Sequence, residues 1–124
     1  MSVSHIKFTN LPVADQQRAM GFYADMLGFS VVQNSPYGDD GWNWVELAPD
    51  GAQTTIVLTK REGDAEMDRP ALVLIDNEVA ATAERLQQAG VEIVQPVQSA
   101  PWDPDVVWCW LRDSEGNLVM LENR

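Results

Sequence analysis

The sequence predicts an α+β protein built from two βαβββ modules, and three observations carry that prediction. Leu27-Gly28-Phe29-Ser30-Val31-Val32-Gln33 is echoed by Ala89-Gly90-Val91-Glu92-Ile93-Val94-Gln95. Glu46-Leu47-Ala48-Pro49-Asp50-Gly51-Ala52 is echoed more loosely by Leu111-Arg112-Asp113-Ser114-Glu115-Gly116-Asn117. Each half also runs through the same succession of patterns, one strand, one helix and three strands. A repeat of this period in a short chain means two copies of one supersecondary unit. Neither copy is large enough to bury a core alone, so the copies are expected to pack together with a cavity between them.

In the first module, His5 to Thr9 alternates apolar and polar residues and reads as a strand. Leu11-Pro12-Val13 reads as a connection. Asp15 is a helix N-cap, followed at helical spacing by the stripe Ala19, Phe22, Tyr23, Met26 and Leu27. Gly28 stands at the expected C-cap. Phe29 to Val32 is a short strand, and Asn34 to Gly41 a polar, turn-rich loop. Trp42 to Leu47 and Thr54 to Thr59 are strands joined by the hairpin turn Pro49-Asp50-Gly51.

Lys60 to Asp68 is charged and aperiodic. The chain is thus read as one domain over residues 1–124, with a first module at 1–60, a linker at 61–69 and a second module at 70–124. In the second module, Ala71 to Ile75 is a continuous apolar strand. Asp76 or Asn77 caps a helix with the stripe Val79, Ala83, Leu86 and Ala89, closed by Gly90. Glu92 to Val97 carries Pro96 and so belongs at a sheet edge. Ser99 to Asp105 is a loop with two prolines, Val106 to Leu111 a strand, Ser114 to Asn117 a turn, and Leu118 to Glu122 the last strand.

The bulk numbers exclude several classes. With 124 residues and 45% hydrophobic content, one core-forming domain is expected. A net charge of −11 repels nucleic-acid phosphates and favours cationic ligands. The single cysteine, Cys109, permits no internal disulfide, and its apolar neighbours suit a buried, inert thiol. The N-terminus lacks a signal-peptide pattern, and no apolar run approaches the roughly 20 residues of a membrane span. A cytoplasmic protein is expected. No phosphate-cradling loop, dinucleotide fingerprint, cysteine pair or serine elbow is present.

Two motifs carry a family resemblance. Asp113-Ser114-Glu115-Gly116-Asn117 followed by Leu118-Val119-Met120-Leu121-Glu122 resembles the closing signature of the vicinal oxygen chelate superfamily, which includes glyoxalases, extradiol dioxygenases and bleomycin-resistance proteins. Phe22-Tyr23-Ala24-Asp25-Met26-Leu27-Gly28-Phe29 resembles that family's first helix and its exit. The likeness spans nearly the whole chain and implies a glyoxalase-like half-barrel with a central cavity; it does not specify an activity. In metal-using members four ligands come from the start of the first strand and from the last strand of each module. A repeat offset of 65, set by Gly51 and Gly116, pairs His5 with Pro70 and Val57 with Glu122. His5 and Glu122 are competent ligands; Pro70 and Val57 have no side-chain lone pair. A catalytic divalent metal usually takes three or more protein ligands, so half the set is missing. Glu46 and Asp68 are conceivable third ligands that the repeat does not place.

His5, the only histidine, suits a general base, the alternative being a solvated terminal residue. Glu122 shares strand parity with Leu118 and Met120 and is a candidate acid, base or cation acceptor, or else an exposed terminal carboxylate. Together His5 and Glu122 form the candidate catalytic pair and an incomplete metal set. The five tryptophans and Tyr37 are the candidate ligand-binding residues. Trp42 and Trp44 share one strand face, as do Trp108 and Trp110; the offset of 65 matches Trp44 to Cys109, which puts the two pairs on opposite faces of equivalent strands. Trp102, between prolines, suits a pocket rim or an interface. Tyr37 with Asp39 and Asp40 suits an acidic flap, or simply a solvated loop. Indoles offer stacking and cation–π surfaces, although core packing also uses them.

The missing ligands favour a binding protein without a tight catalytic metal, holding an aromatic or cationic small molecule, as drug-sequestering members of the resembled family do. The second reading is a lyase, isomerase or dioxygenase using His5 and Glu122 with a weakly held zinc, nickel, manganese or iron ion. The third is an interaction module without a ligand. The resemblance implies a homodimer; neither nucleic acid nor membrane is an expected partner.

Overall fold

The computed structural model describes residues 2–65 and 68–124. The chain divides into two compact units, Met1–Asp64 and Ala65–Arg124. Of the expected linker, Glu66 and Met67 lie outside the described residues.

The first unit contains β1 (Phe8–Val13), α1 (Gln16–Gly21) running on into a π-helical turn (Phe22–Met26), β2 (Ser30–Pro36), β3 (Asn43–Ala48) and β4 (Thr55–Lys60). Its sheet has the order β1-β4-β3-β2, with β1 parallel to β4 and the other pairs antiparallel. The second unit contains β5 (Leu72–Ile75), α2 (Val79–Gln88), β6 (Ile93–Ala100), β7 (Asp103–Arg112) and β8 (Leu118–Glu122), in the order β5-β8-β7-β6. The same strand order, with the same parallel outer pair, recurs in both halves, as the repeat predicts.

Local chemistry explains the helices. Asp15 caps α1 by accepting from the Arg18 amide at 3.0 Å. The π-helical turn departs from the regular helical spacing that the sequence predicts. It widens the helix so that adjacent Phe22 and Tyr23 are both buried, with ring centroids 5.2 Å apart. Gly28, at φ 75°, then turns the chain so that the Phe29 amide donates to Tyr23 O at 2.9 Å. In α2 the stripe Val79, Ala83 and Leu86 is buried as expected, but Ala89 is exposed. Neither expected residue caps α2. Glu78 holds that position without a side-chain bond, and Asp76 instead accepts from the Glu78 amide at 2.7 Å.

Two strands run further than the pattern suggested, for one physical reason. Pro12 lies in β1 and Pro36 in β2, both outer strands, where a missing N–H costs no ladder bond. Pro96 sits in outer strand β6, as expected. The expected loop 99–105 is a tight turn between long strands, with Ala100 paired to Asp103. At the other end β1 starts at Phe8, so His5 precedes the strand it was expected to open.

Strand register defines the core rows. In the first unit Leu47 pairs with Ile56 and Leu58 with Leu11, all at most 5% exposed. In the second unit Cys109 pairs with Leu121 and Leu111 with Val119, all at most 2% exposed.

Candidate functional site

Side chains alternate along a strand, so the residues between the core positions form the opposite face. In the first unit that face carries Trp44 and Glu46 on β3, Thr55 and Val57 on β4, and Phe8 and Asn10 on β1, with Glu46 directly opposite Val57. Glu46 is 8% exposed. A buried carboxylate needs partners, and both of its oxygens have one. Trp44 Nε1 donates to Oε1 at 2.7 Å, and Thr55 Oγ1 donates to Oε2 at 2.7 Å. Those two bonds, the indole's first, hold the Glu46 carboxyl below its ordinary pKa against the opposing effect of burial, with a smaller contribution from the Lys7 charge.

The Trp44 indole sits between two other rings. Phe8 meets it edge-on at 5.5 Å, and Tyr37 lies tilted at 5.7 Å. Tyr37 belongs to the short connection between β2 and β3, residues 37–42. The Tyr37 amide donates to Trp42 O at 3.1 Å, and the Trp42 amide to Asp40 Oδ1 at 3.1 Å, so this segment is a closed turn. Beneath it lies a cavity of about 550 Å³, walled by Tyr37, Trp42, Trp44, Val57 and Leu58 and edged by Asp39, Asp40 and Lys60. That volume falls within the range of drug-sized ligand sites. A second, more polar hollow of about 440 Å³ lies beside α1, between Gln17, Met20, Asn34 and Trp42.

In the second unit Trp108 pairs with Glu122 and Trp110 with Met120, and the two indoles are 6.1 Å apart. This register corrects the expectation that the two tryptophan pairs face opposite ways. The offset of 65 holds between β4 and β8 and between β1 and β5: Asn10 pairs with Val57 as Ile75 pairs with Glu122. Between β3 and β7 the offset is 62, because Leu47 pairs with Ile56 as Cys109 pairs with Leu121. The second hairpin is therefore three residues longer. An odd insertion reverses strand parity, so Trp44 matches Val106 and Trp108 matches Glu46. Trp44 therefore lies on the face equivalent to that of Trp108 and Trp110, whereas Trp42, expected to share the strand with Trp44, precedes β3 in the connection from β2.

The structure thus brings Tyr37, Trp42 and Trp44 together on one cavity and Trp108 and Trp110 together in the other unit. Trp102 stands apart at the tip of the β6–β7 hairpin, 79% exposed. His5 is exposed, with Nδ1 2.8 Å from Ser4 Oγ. Glu122 is half-buried at the end of β8. The positions matching His5 and Glu122 hold Pro70 and Val57, Glu46 has both oxygens engaged, and no group of three or more His, Cys, Asp or Glu side chains is placed to hold an ion among the described residues. The residue that sequence reasoning undervalued is Glu46. Its signal was present: an acid two positions from Trp44 on a strand, with Val45, Leu47 and Ala48 as its apolar neighbours.

With this architecture, the family follows. Residues 3–121 match the model of the Glyoxalase/Bleomycin resistance protein/Dioxygenase superfamily, and the chain belongs to that family. Among solved structures it is similar to TnmS3, an antibiotic binding protein from Streptomyces sp. CB03234, at 29% identity and a TM-score of 0.80, covering 98% of this chain and 96% of that one. A superfamily member from Sphaerobacter thermophilus is 25% identical with a TM-score of 0.83, covering 98% of both chains. YetH of Bacillus subtilis is 28% identical over 113 residues, 89% of this chain and 90% of that protein. No helix among the described residues is long and apolar enough to cross a membrane.

Proposed function

We propose that this protein is a cytoplasmic small-molecule-binding protein that holds a flat aromatic or cationic ligand in its tryptophan-lined cavity and works without a tightly bound catalytic metal. The observation that carries this reading is the convergence of Tyr37, Trp42 and Trp44 on one cavity edged by Asp39, Asp40 and Lys60, two carboxylates against one ammonium. Stacked rings supply sequestering surface, and the acidic edge favours a cation. Likeness to an antibiotic binding protein over nearly the full length of both chains supports the same reading. The incomplete donor set weighs against the alternative, an enzyme using His5, Glu122 and a divalent ion. We extend the proposal to a homodimer, supported by Val73 and Ile75, which are 58% and 65% exposed on outer strand β5.

Fluorescence titration with proflavine, a flat aromatic cation, tests the reading. Saturable quenching of tryptophan emission that is lost in Trp44→Ala is the expected result. Absence of saturable quenching, with stoichiometric binding of zinc, nickel, manganese or ferrous iron that both His5→Ala and Glu122→Gln weaken, overturns the metal-free binding reading and favours the enzyme instead. Sedimentation velocity tests the dimer, and a monomer at all concentrations removes that part.

A further inference from the structure

We propose that Glu46 is a positioning residue for the binding cavity: its buried carboxylate fixes the plane of the Trp44 indole, so that a flat ligand meets a stacking wall already in place. The inference rests on the cavity reading above. Glu46 is absent from the cavity wall, whereas Trp44 and Tyr37 line it. Glu46 therefore acts through Trp44 rather than on the ligand.

The geometry is a two-point tether. Thr55 holds one carboxylate oxygen at 2.7 Å, and the other oxygen takes the indole N–H at 2.7 Å. Phe8 backs the same indole edge-on at 5.5 Å, and Tyr37 approaches it at 5.7 Å. A half-buried indole without such a tether rotates about two side-chain torsions, and binding must then stop that motion. A preformed wall removes this cost. Keeping a carboxylate at 8% exposure on a sheet face is expensive unless it is fully hydrogen-bonded. An apolar residue there fills the space at lower cost but leaves the indole N–H and the Thr55 hydroxyl without their acceptor.

Glutamine at this position separates position from charge. Its Oε1 accepts from Trp44, and its Nε2 donates to the Thr55 hydroxyl, which turns to accept. The tether survives and the charge does not.

The test uses the full chain labelled with ¹⁵N-tryptophan, the Trp44 indole signal being assigned by its loss in Trp44→Phe, together with proflavine titrations. In Glu46→Ala we expect the Trp44 indole proton to exchange about tenfold faster and proflavine affinity to fall about tenfold, with both recovering to within about threefold of wild type in Glu46→Gln. If Glu46→Ala does not fold, Glu46→Leu, which fills the same space, carries the same comparison. Unchanged indole exchange in the alanine or leucine variant overturns the tether. Proflavine binding that falls equally in the glutamine and alanine variants shows that the charge itself attracts the ligand, and overturns positioning. Wild-type protein that takes up no proflavine sinks the cavity reading and the ligand role built on it. Wild-type binding that the alanine variant retains overturns the positioning role alone.

Discussion

Cys109 faces Leu121 directly across the β7–β8 ladder, and both are sealed from solvent. Burial raises the Cys109 thiol pKa, a nearby Asp76 charge adds to the rise, and a backbone hydrogen bond from Leu121 opposes it. The thiolate that alkylating reagents require is scarce and out of reach. Iodoacetamide should leave the native protein unlabelled at pH 8 and modify one site per chain once guanidinium unfolds it. Mass spectrometry of the native reaction checks this, and rapid native labelling contradicts the burial.

Leu47 holds the matching place in the first unit, opposite Ile56 and 0% exposed. Truncation there opens a cavity in a packed row. Leu47→Ala should destabilise the protein by about 3 kcal/mol, read as a lower guanidinium midpoint with little change in slope.

The turn between β7 and β8 depends on one carboxylate. Asp113 Oδ1 accepts from the Glu115 amide at 2.8 Å and from the Asn117 amide at 2.9 Å, and Asp113 is 6% exposed. Asp113→Ala removes the acceptor of both amides and of Asn117 Nδ2, 3.3 Å from Oδ2, and should cost about 2–4 kcal/mol. Asp113→Asn keeps an oxygen acceptor there and should cost less. Thermal unfolding of the two variants gives the ranking.

Acid stability should bear the mark of Glu46. Its folded pKa is depressed, first by the Trp44 bond and then by the Thr55 bond, with Lys7 as the contributing charge. A depressed carboxyl contributes stability that is present in full above its unfolded value and lost as pH falls through its folded value. Unfolding free energy should therefore decline below the ordinary glutamate range in wild type, and less steeply in Glu46→Gln. Denaturant midpoints measured from pH 7 down to pH 3 test the difference.

Much of the fold was legible because the chain repeats itself. Gly28 and Gly90 mark the same helix exit in both halves, and the buried positions of α2 fall at the predicted spacing. Pro12 and Pro36 obscured strand ends, since a proline reads as a break until the strand is known to be outermost. Adjacent Phe22 and Tyr23 gave no hint that the helix widens to bury both. Tyr37, Trp42 and Trp44 were visible as site candidates from their chemistry alone. The role of Glu46 was hidden because its second partner, Thr55, arrives by cross-strand register, which the sequence does not state.

The longer second hairpin has a consequence for how the two copies are compared. Counterparts do not keep a constant spacing along the chain, so an acid in one copy answers to an indole in the other while both interiors stay apolar. A substitution carried from one half to the other has to be transferred by counting rungs: the twin of Glu46 is Trp108, not Leu111.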